Sequence, residues 1–302
     1  MAPNYSFKLS FALFFALLGF MGCRPMDYYL LHPPQSPPEI IRESAFFDRG
    51  QLRVHWLAYY PSRTGPLPAV LAHPDAGGLA QDMEGICLSL ARAGYFAAAV
   101  HYQRLENLEK KNPLFSWKSP QDVIAAIHHL KQHPRVDPER IGLLGYSKGG
   151  MLSLLIASQD PSVKGVVAYY PLSDFEEWLD LKRYSFPKSL WIRGVRAYVL
   201  RELQLSNWEE ALKILRVASP IHQAGHIKAP VLLIHGEKDW TAPLGQVQKL
   251  CRKMQEAGGR CELFVIPEAG HVFNFLDEEQ AKAAWEKAAD FLAVHLKGER
   301  IP

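Results

Sequence analysis

Arg140-Ile141-Gly142-Leu143-Leu144-Gly145-Tyr146-Ser147-Lys148-Gly149-Gly150 is the stretch on which the fold turns. A continuous apolar run, too short for a helix, ends in a glycine-flanked serine, and the helical period of Lys148 to Ser158 begins at once. Unbroken rather than alternating hydrophobicity marks a strand buried on both faces, the habit of parallel sheets covered by helices. Gly145 and Gly149 then have a steric purpose, because a residue held on a tight, strained turn needs space around it for neighbouring backbone. Lifted above the sheet, the Ser147 hydroxyl has a helix N-terminus behind it, which favours negative charge.

Outward from this turn the rhythm repeats in both directions. Upstream, Ser44 to Phe47 and Leu52 to Tyr60 read as a hairpin turned at Arg49-Gly50, followed by the buried strand Ala69 to His73, a helix over Gln81 to Ala93 stopped by Gly94, and a strand over Tyr95 to Val100. Ser119 to Gln132 has helical period, with Ser119 as cap and Pro120 in the first turn. Downstream come strands over Val163 to Tyr169, Pro230 to His235 and Cys261 to Ile266, with helices over Leu244 to Ala257 and Glu278 to Leu296. The expected fold class is therefore α/β, a mostly parallel sheet with helices on both faces, and one domain over residues 44 to 302. Residues 172 to 219 break the rhythm. They carry Trp178, Tyr184, Phe186, Trp191, Tyr198 and Trp208 among five basic residues, Arg183, Lys188, Arg193, Arg196 and Arg201. Such a segment predicts a helical lid over the serine or, alternatively, extra helical packing.

A serine hydroxyl needs a base, and the base an orienting acid. Asp239 lies in His235-Gly236-Glu237-Lys238-Asp239-Trp240, after the strand ending at His235, and His271 lies in Pro267-Glu268-Ala269-Gly270-His271, after the strand ending at Ile266. Each loop leaves the carboxyl end of its strand, so Ser147, Asp239 and His271 are expected at one edge of the sheet, in the order nucleophile, acid, base that a G-x-S-x-G nucleophile elbow requires. Asp174 and Glu237 are the rival acids. His73 and His235 also end strands and are expected to be structural, and His129 and His133, four apart on a helix, are expected to be a polar surface pair rather than metal ligands. Donors for an oxyanion are expected from the backbone N–H of Lys148 and from that of Asp75 or Ala76 in the glycine-rich loop His73 to Gly78. Trp178 and Trp191 are the candidate substrate contacts of the lid. No metal and no cofactor is called for.

With 48% hydrophobic and 22% charged residues the chain is globular, and a net charge of +3 without a basic block argues against nucleic acid as a partner. The N-terminus differs: Lys8 precedes an apolar run from Leu9 to Met21 that ends at Gly22-Cys23. Residues 1 to 22 are expected to be a signal peptide, with Cys23 as a possible lipidated residue tethering the protein to a bacterial membrane, and residues 23 to 43 a proline-rich tether. An uncleaved anchor, a periplasmic or extracellular protein, and a cytosolic protein are the alternatives. Cys87, Cys251 and Cys261 remain; the last two could bridge a helix to the next strand or stay as reduced thiols.

The stretch Arg140 to Ala157, with Lys164-Gly165-Val166-Val167-Ala168-Tyr169-Tyr170-Pro171, resembles the dienelactone-hydrolase family of the α/β-hydrolase superfamily, although that family typically has cysteine at the position of Ser147. Ser219-Pro220-Ile221-His222 through Asp239 to Gly270-His271 is similar to prolyl-oligopeptidase-like serine peptidases, and Gly145 to Gly150 also resembles the acyl-CoA thioesterase and bile-acid acyltransferase group. These resemblances cover about residues 45 to 297. They imply the α/β-hydrolase fold and a serine hydrolase that cleaves a small carboxylic ester through an acyl-enzyme, with short peptides or acyl thioesters as the alternative substrates. From another class, a membrane-anchored binding protein on the same scaffold is the rival expectation.

Overall fold

The computed structural model describes residues 39–49, 52–63, 65–75, 78–104 and 120–299. The expected signal segment, Cys23, Ala76 and the cap Ser119 lie outside them. Among the described residues eight strands form one sheet: β1 (Ile40–Arg49), β2 (Leu52–Pro61), β3 (Leu67–His73), β4 (Phe96–Arg104), β5 (Val136–Tyr146), β6 (Val163–Tyr169), β7 (Val231–Gly236) and β8 (Cys261–Ile266). Their order is β1-β2-β4-β3-β5-β6-β7-β8. β1 pairs antiparallel with β2 and β2 with β4, while every later pair is parallel.

The helices are α1 (Glu84–Arg92), α2 (Pro120–Lys131), α3 (Lys148–Ala157), α4 (Phe175–Trp178), α5 (Lys188–Leu203), α6 (Trp208–Val217), α7 (Leu244–Glu256) and α8 (Glu278–Leu292). Two apolar layers result, one on each face of the sheet. One joins Ala126, Leu130, Leu154, Val247 and Leu250, from α2, α3 and α7, to alternate residues of the strands; the other joins Leu90, Trp285 and Phe291, from α1 and α8, to the opposite face. Because both faces are covered, β3 and β7 are buried at every position, which explains their unbroken apolar sequence.

Several boundaries depart from the expectations. β1 begins at Ile40, four residues inside the segment expected to be tether, because the Arg42 guanidinium donates to the Tyr59 hydroxyl at 3.1 Å and Tyr60 donates to Glu43 at 3.1 Å. Such cross-strand bonds leave no hydrophobic alternation to read. β5 starts at Val136 rather than Arg140, and the helix expected from Gln81 opens as a 3₁₀ turn, Ala80–Met83. The His129 and His133 pair is not a solvated surface pair: both rings lie against Trp56, at 5.5 and 6.2 Å between centroids, and His133 Nε2 lies 3.3 Å from Glu43 Oε2. Among the described residues no group of His, Cys, Asp and Glu could hold a metal ion, and no helix is long and apolar enough to cross a membrane.

Residues 172 to 219 are helical, and they carry a third apolar cluster of their own. Phe175, Trp178, Ile192, Val195, Val199, Ala211 and Leu215 pack on Met151 and Leu155 of α3, so the insertion is seated on the helix that follows Ser147.

A disulfide joins Cys251 of α7 to Cys261 of β8 across a sequence separation of 10, deciding between the two expected states of these thiols. A loop of that length contributes about 3 kcal/mol by restricting the unfolded chain. Replacing both cysteines by serine should lower the unfolding free energy by about that amount in urea titration while leaving the far-ultraviolet circular dichroism of the folded protein unchanged.

Candidate active site

The turn after β5 is built from close backbone approaches. A Cβ on Gly145 would lie 2.2 Å from the carbonyl of Gly149, and one on Gly149 would lie 2.2 Å from the carbonyl oxygen of His73. Any side chain at either position would drive α3 away from the ends of β5 and β3. Between them Ser147 takes φ 49° and ψ −112°, a backbone conformation that L-residues adopt only when their surroundings fix it. Those surroundings include a bond from Ser147 N to the Tyr169 carbonyl at 2.9 Å, and one from Met151 N to the Ser147 carbonyl at 3.0 Å.

His271 arrives from the loop after β8. Its Nε2 lies 3.1 Å from Ser147 Oγ and its Nδ1 2.6 Å from Asp239 Oδ2. The Asp239 carboxylate is fully buried, and its other oxygen accepts the backbone N–H groups of Thr241 and Ala242, both at 2.8 Å. With two backbone donors on Oδ1, Oδ2 is left for the imidazole, and this fixes the Nδ1–H tautomer of His271. His235 Nε2 donates to the Ala242 carbonyl at 2.7 Å and so closes the acid loop on itself; burial keeps its pKa below the ordinary histidine value.

The rival acids have other work. Asp174 caps α4 by accepting from Glu177 N at 3.0 Å, and Glu237 accepts from Glu268 N at 3.1 Å, bracing the loop that precedes His271. His73 is buried, held down to about 3 by desolvation, and its Nδ1 lies 3.2 Å from Ser153 Oγ, which donates to the Gly149 carbonyl at 2.9 Å. This strap ties the end of β3, where the loop expected to supply an oxyanion donor starts, to the first turn of α3.

Lys148 opens α3, where its backbone N–H faces away from any intrahelical acceptor. Asp75 was expected to matter through its backbone N–H; its carboxyl is what sequence reasoning missed. Burial, with Asp82 nearby, pushes that carboxyl up to about 6, against the opposing pull of His271 and Lys148. Burial also brings the Lys148 ammonium down to about 7, against the pull of Asp75. The carboxyl could have been suspected from the one acidic residue in the loop His73 to Gly78.

Trp178 and Trp191 were expected to face a substrate. Trp178 is instead buried, and its indole N–H donates to the Thr241 carbonyl at 2.7 Å. Trp191 stands between Trp178 and Trp240, with ring centroids 5.5 Å from each. The Lys188 ammonium bonds the Trp240 carbonyl and sits 4.8 Å from the centre of that ring. The insertion therefore grips residues 240 and 241, next to Asp239, because an indole N–H and an ammonium donate there to backbone carbonyls of a tight loop. Tyr170, whose ring meets the His271 ring at 4.7 Å, and Asn274, which accepts the Tyr170 hydroxyl, were not singled out by the sequence.

A mostly parallel sheet with a glycine-flanked serine on a strained turn, and an imidazole and a carboxylate delivered from the next strand ends, defines the α/β-hydrolase fold. Residues 55–296 match the dienelactone hydrolase family, and the chain belongs to that family. It is accordingly a hydrolase. One relative, from a Bradyrhizobium species, is 27% identical over 266 residues, covering 83% of this chain and 93% of its own, and is called "Probable 2-oxo-3-(5-oxofuran-2-ylidene)propanoate lactonase". Similar solved structures include the acylaminoacyl peptidase of Pyrococcus horikoshii, with TM-score 0.72 and 19% identity over 92% of this chain and 45% of that longer one. EstE1, a thermostable carboxylesterase from a metagenomic library, has TM-score 0.68 and 20% identity, covering 98% of this chain and 99% of its own.

The two shifted groups beside Ser147 give a pH signature. Below about pH 6 the pair Asp75 and Lys148 carries one positive charge; between about 6 and 7 it is neutral overall; above about 7 it carries one negative charge. The kcat/KM for a carboxylate-bearing ester, divided by that for a neutral ester of the same shape, should therefore fall by roughly tenfold or more from pH 5 to pH 8. Steady-state kinetics across that range checks it; a flat ratio contradicts it.

Proposed function

We propose that this protein is a serine hydrolase that opens a carboxylic ester, including the cyclic esters that are lactones, through an acyl-enzyme. The observation that carries this is the unbroken hydrogen-bonded line from Ser147 Oγ to His271 to Asp239, with 3.1 Å and 2.6 Å links. Ser147 attacks the acyl carbon as Nε2 of His271 takes its proton; the same proton is returned to the leaving alkoxide, and water repeats the cycle to release the acid. Asp239 holds the imidazole in the tautomer that leaves Nε2 free to accept. The N–H of Lys148, with that of Asp75 or Ala76, meets the charge on the tetrahedral oxygen. Where its relatives typically carry a thiolate, a hydroxyl depends more heavily on the base, since it is almost wholly protonated at neutral pH.

Export to an oxidising compartment belongs to the same proposal. The Cys251–Cys261 disulfide favours it, as does the apolar run before Cys23. The grip of the insertion on residues 240 and 241 supports a fixed wall beside the acid more than a lid that swings away.

A fluorophosphonate should label the protein once, on the peptide containing Ser147, and Ser147→Ala should not be labelled. On p-nitrophenyl esters Ser147→Ala and His271→Ala should each lose at least about a thousandfold in kcat, with a smaller loss for Asp239→Asn. Labelling elsewhere, or full turnover by Ser147→Ala, would overturn the proposal; faster turnover of aminoacyl nitroanilides or acyl thioesters than of esters and lactones would reassign the substrate.

A further inference from the structure

The imidazole of His271 is carried by a turn that does not rest easily. Val272, the next residue, has φ 56°, a left-handed conformation that a β-branched residue adopts at a cost of about 1–3 kcal/mol. Across the site Tyr170, which follows β6, has φ 38°. Two strained non-glycine residues thus stand on either side of the His271 ring, and something must hold both. Neither the triad bonds nor the glycine contacts of the elbow reach them.

Asn274 does. It lies three residues beyond His271, in the 3₁₀ turn Phe273–Phe275, and is 4% exposed. Its Oδ1 accepts the Tyr170 hydroxyl at 2.7 Å. Its Nδ2 has no partner among the described residues, so accepting is what this side chain contributes. The Tyr146 and Tyr170 rings stack at 6.1 Å and 13°, and the Tyr170 ring meets the His271 ring edge-on at 4.7 Å. The Tyr170 backbone N–H is anchored on the Ile234 carbonyl of β7 at 2.7 Å, so the ring cannot drift with the loop. One buried amide therefore links the ring against His271 to the turn that carries His271, and the Tyr146 ring stacks on the other partner of that bond.

We infer that Asn274 is a positioning residue for the proposed hydrolysis, acting through Tyr170 to hold His271 at bonding distance from Ser147 across two strained backbone positions. The inference rests on the serine-hydrolase proposal. Asn274 touches no reacting atom; deleting its acceptor lets the Val272 turn relax and widens the separation between Nε2 and Oγ. The expected consequence is a loss in the chemical step and not in substrate binding.

The test is steady-state kinetics on a p-nitrophenyl ester with fluorophosphonate inactivation rates alongside. Asn274→Leu, which keeps size and removes the acceptor, should lower kcat and the inactivation rate by roughly 10- to 100-fold with KM within about twofold, a misplacement effect of ordinary size. Tyr170→Phe, which keeps the ring and deletes only the hydroxyl, should lower kcat by about 5- to 20-fold, and the double variant should be no worse than Asn274→Leu, because both act through one bond. Asn274→Asp, which restores an acceptor in the same place, should recover most of the lost kcat. Unchanged kcat in Tyr170→Phe, multiplying effects in the double variant, or a loss confined to KM would overturn the inference; should Asn274→Leu fail to fold, Tyr170→Phe decides alone. Wild-type protein that is not labelled at Ser147 would sink the serine-hydrolase proposal itself, a result distinguishable from labelled protein with indifferent variants.

Discussion

The close approach of α3 to the ends of β3 and β5 is the constraint on which the rest depends. Gly149 sits so near the His73 and Pro74 carbonyls, and Gly145 so near Gly149, that the elbow has no space for a methyl group at either position. Ser147 is thereby left in its strained conformation, held by the Tyr169 carbonyl of β6 on one side and by the Met151 N–H of α3 on the other. The same approach also sets the loop after β3 against the N-terminus of α3, since His73 and Ser153 strap the two together. The Ser147 hydroxyl and the helix N-terminus are thereby fixed relative to one another; in the proposed hydrolysis this is the preorganisation that would meet a developing oxyanion.

The loops that carry His271 and Asp239 are held by further devices. Gly236, where an added Cβ would lie 2.5 Å from the Ala269 carbonyl oxygen, lets the two loops pack backbone to backbone, and each is closed by its own polar contacts and then pinned from outside. Asp239 spends one carboxylate oxygen on two backbone N–H groups, His235 closes the loop behind it, and the insertion holds the next two residues through Trp178, Trp191 and Lys188. The Tyr170 ring lies against the His271 ring and its hydroxyl is held by Asn274. The insertion, seated on α3 through its own apolar cluster, thus joins the helix after Ser147 to the loop that carries Asp239.

Much of this was legible in the sequence, for reasons that differ by residue. The elbow could be read because its geometry demands glycine at set positions, and no other residue type fits. The alternation of apolar runs and helical periods placed Asp239 and His271 at strand ends, since chain order and parallel topology leave them nowhere else to go. β1 escaped notice at its start because an edge strand held by Arg42, Glu43 and two tyrosines shows no apolar alternation. Trp178 was assigned to substrate because a tryptophan in an insertion looks the same whether it faces a ligand or donates to the Thr241 carbonyl. The Asp75 carboxyl, Tyr170 and Asn274 were missed because their roles come from contacts between segments far apart in the chain, and a lone tyrosine or asparagine carries no periodicity. The disulfide was left open for a similar reason: spacing permits a bridge, but only the facing of α7 and β8 makes one.

The central claim is that steric room at Gly149 is what keeps Ser147 poised. Its most direct test is the second-order rate of fluorophosphonate inactivation of Gly149→Ala beside that of Gly245→Ala, a helix position where an added methyl meets nothing within 4 Å. The account predicts that Gly245→Ala reacts at the wild-type rate while Gly149→Ala is slowed by at least about a hundredfold, as expected when a nucleophile is displaced by an ångström. Equal rates for the two variants would contradict it.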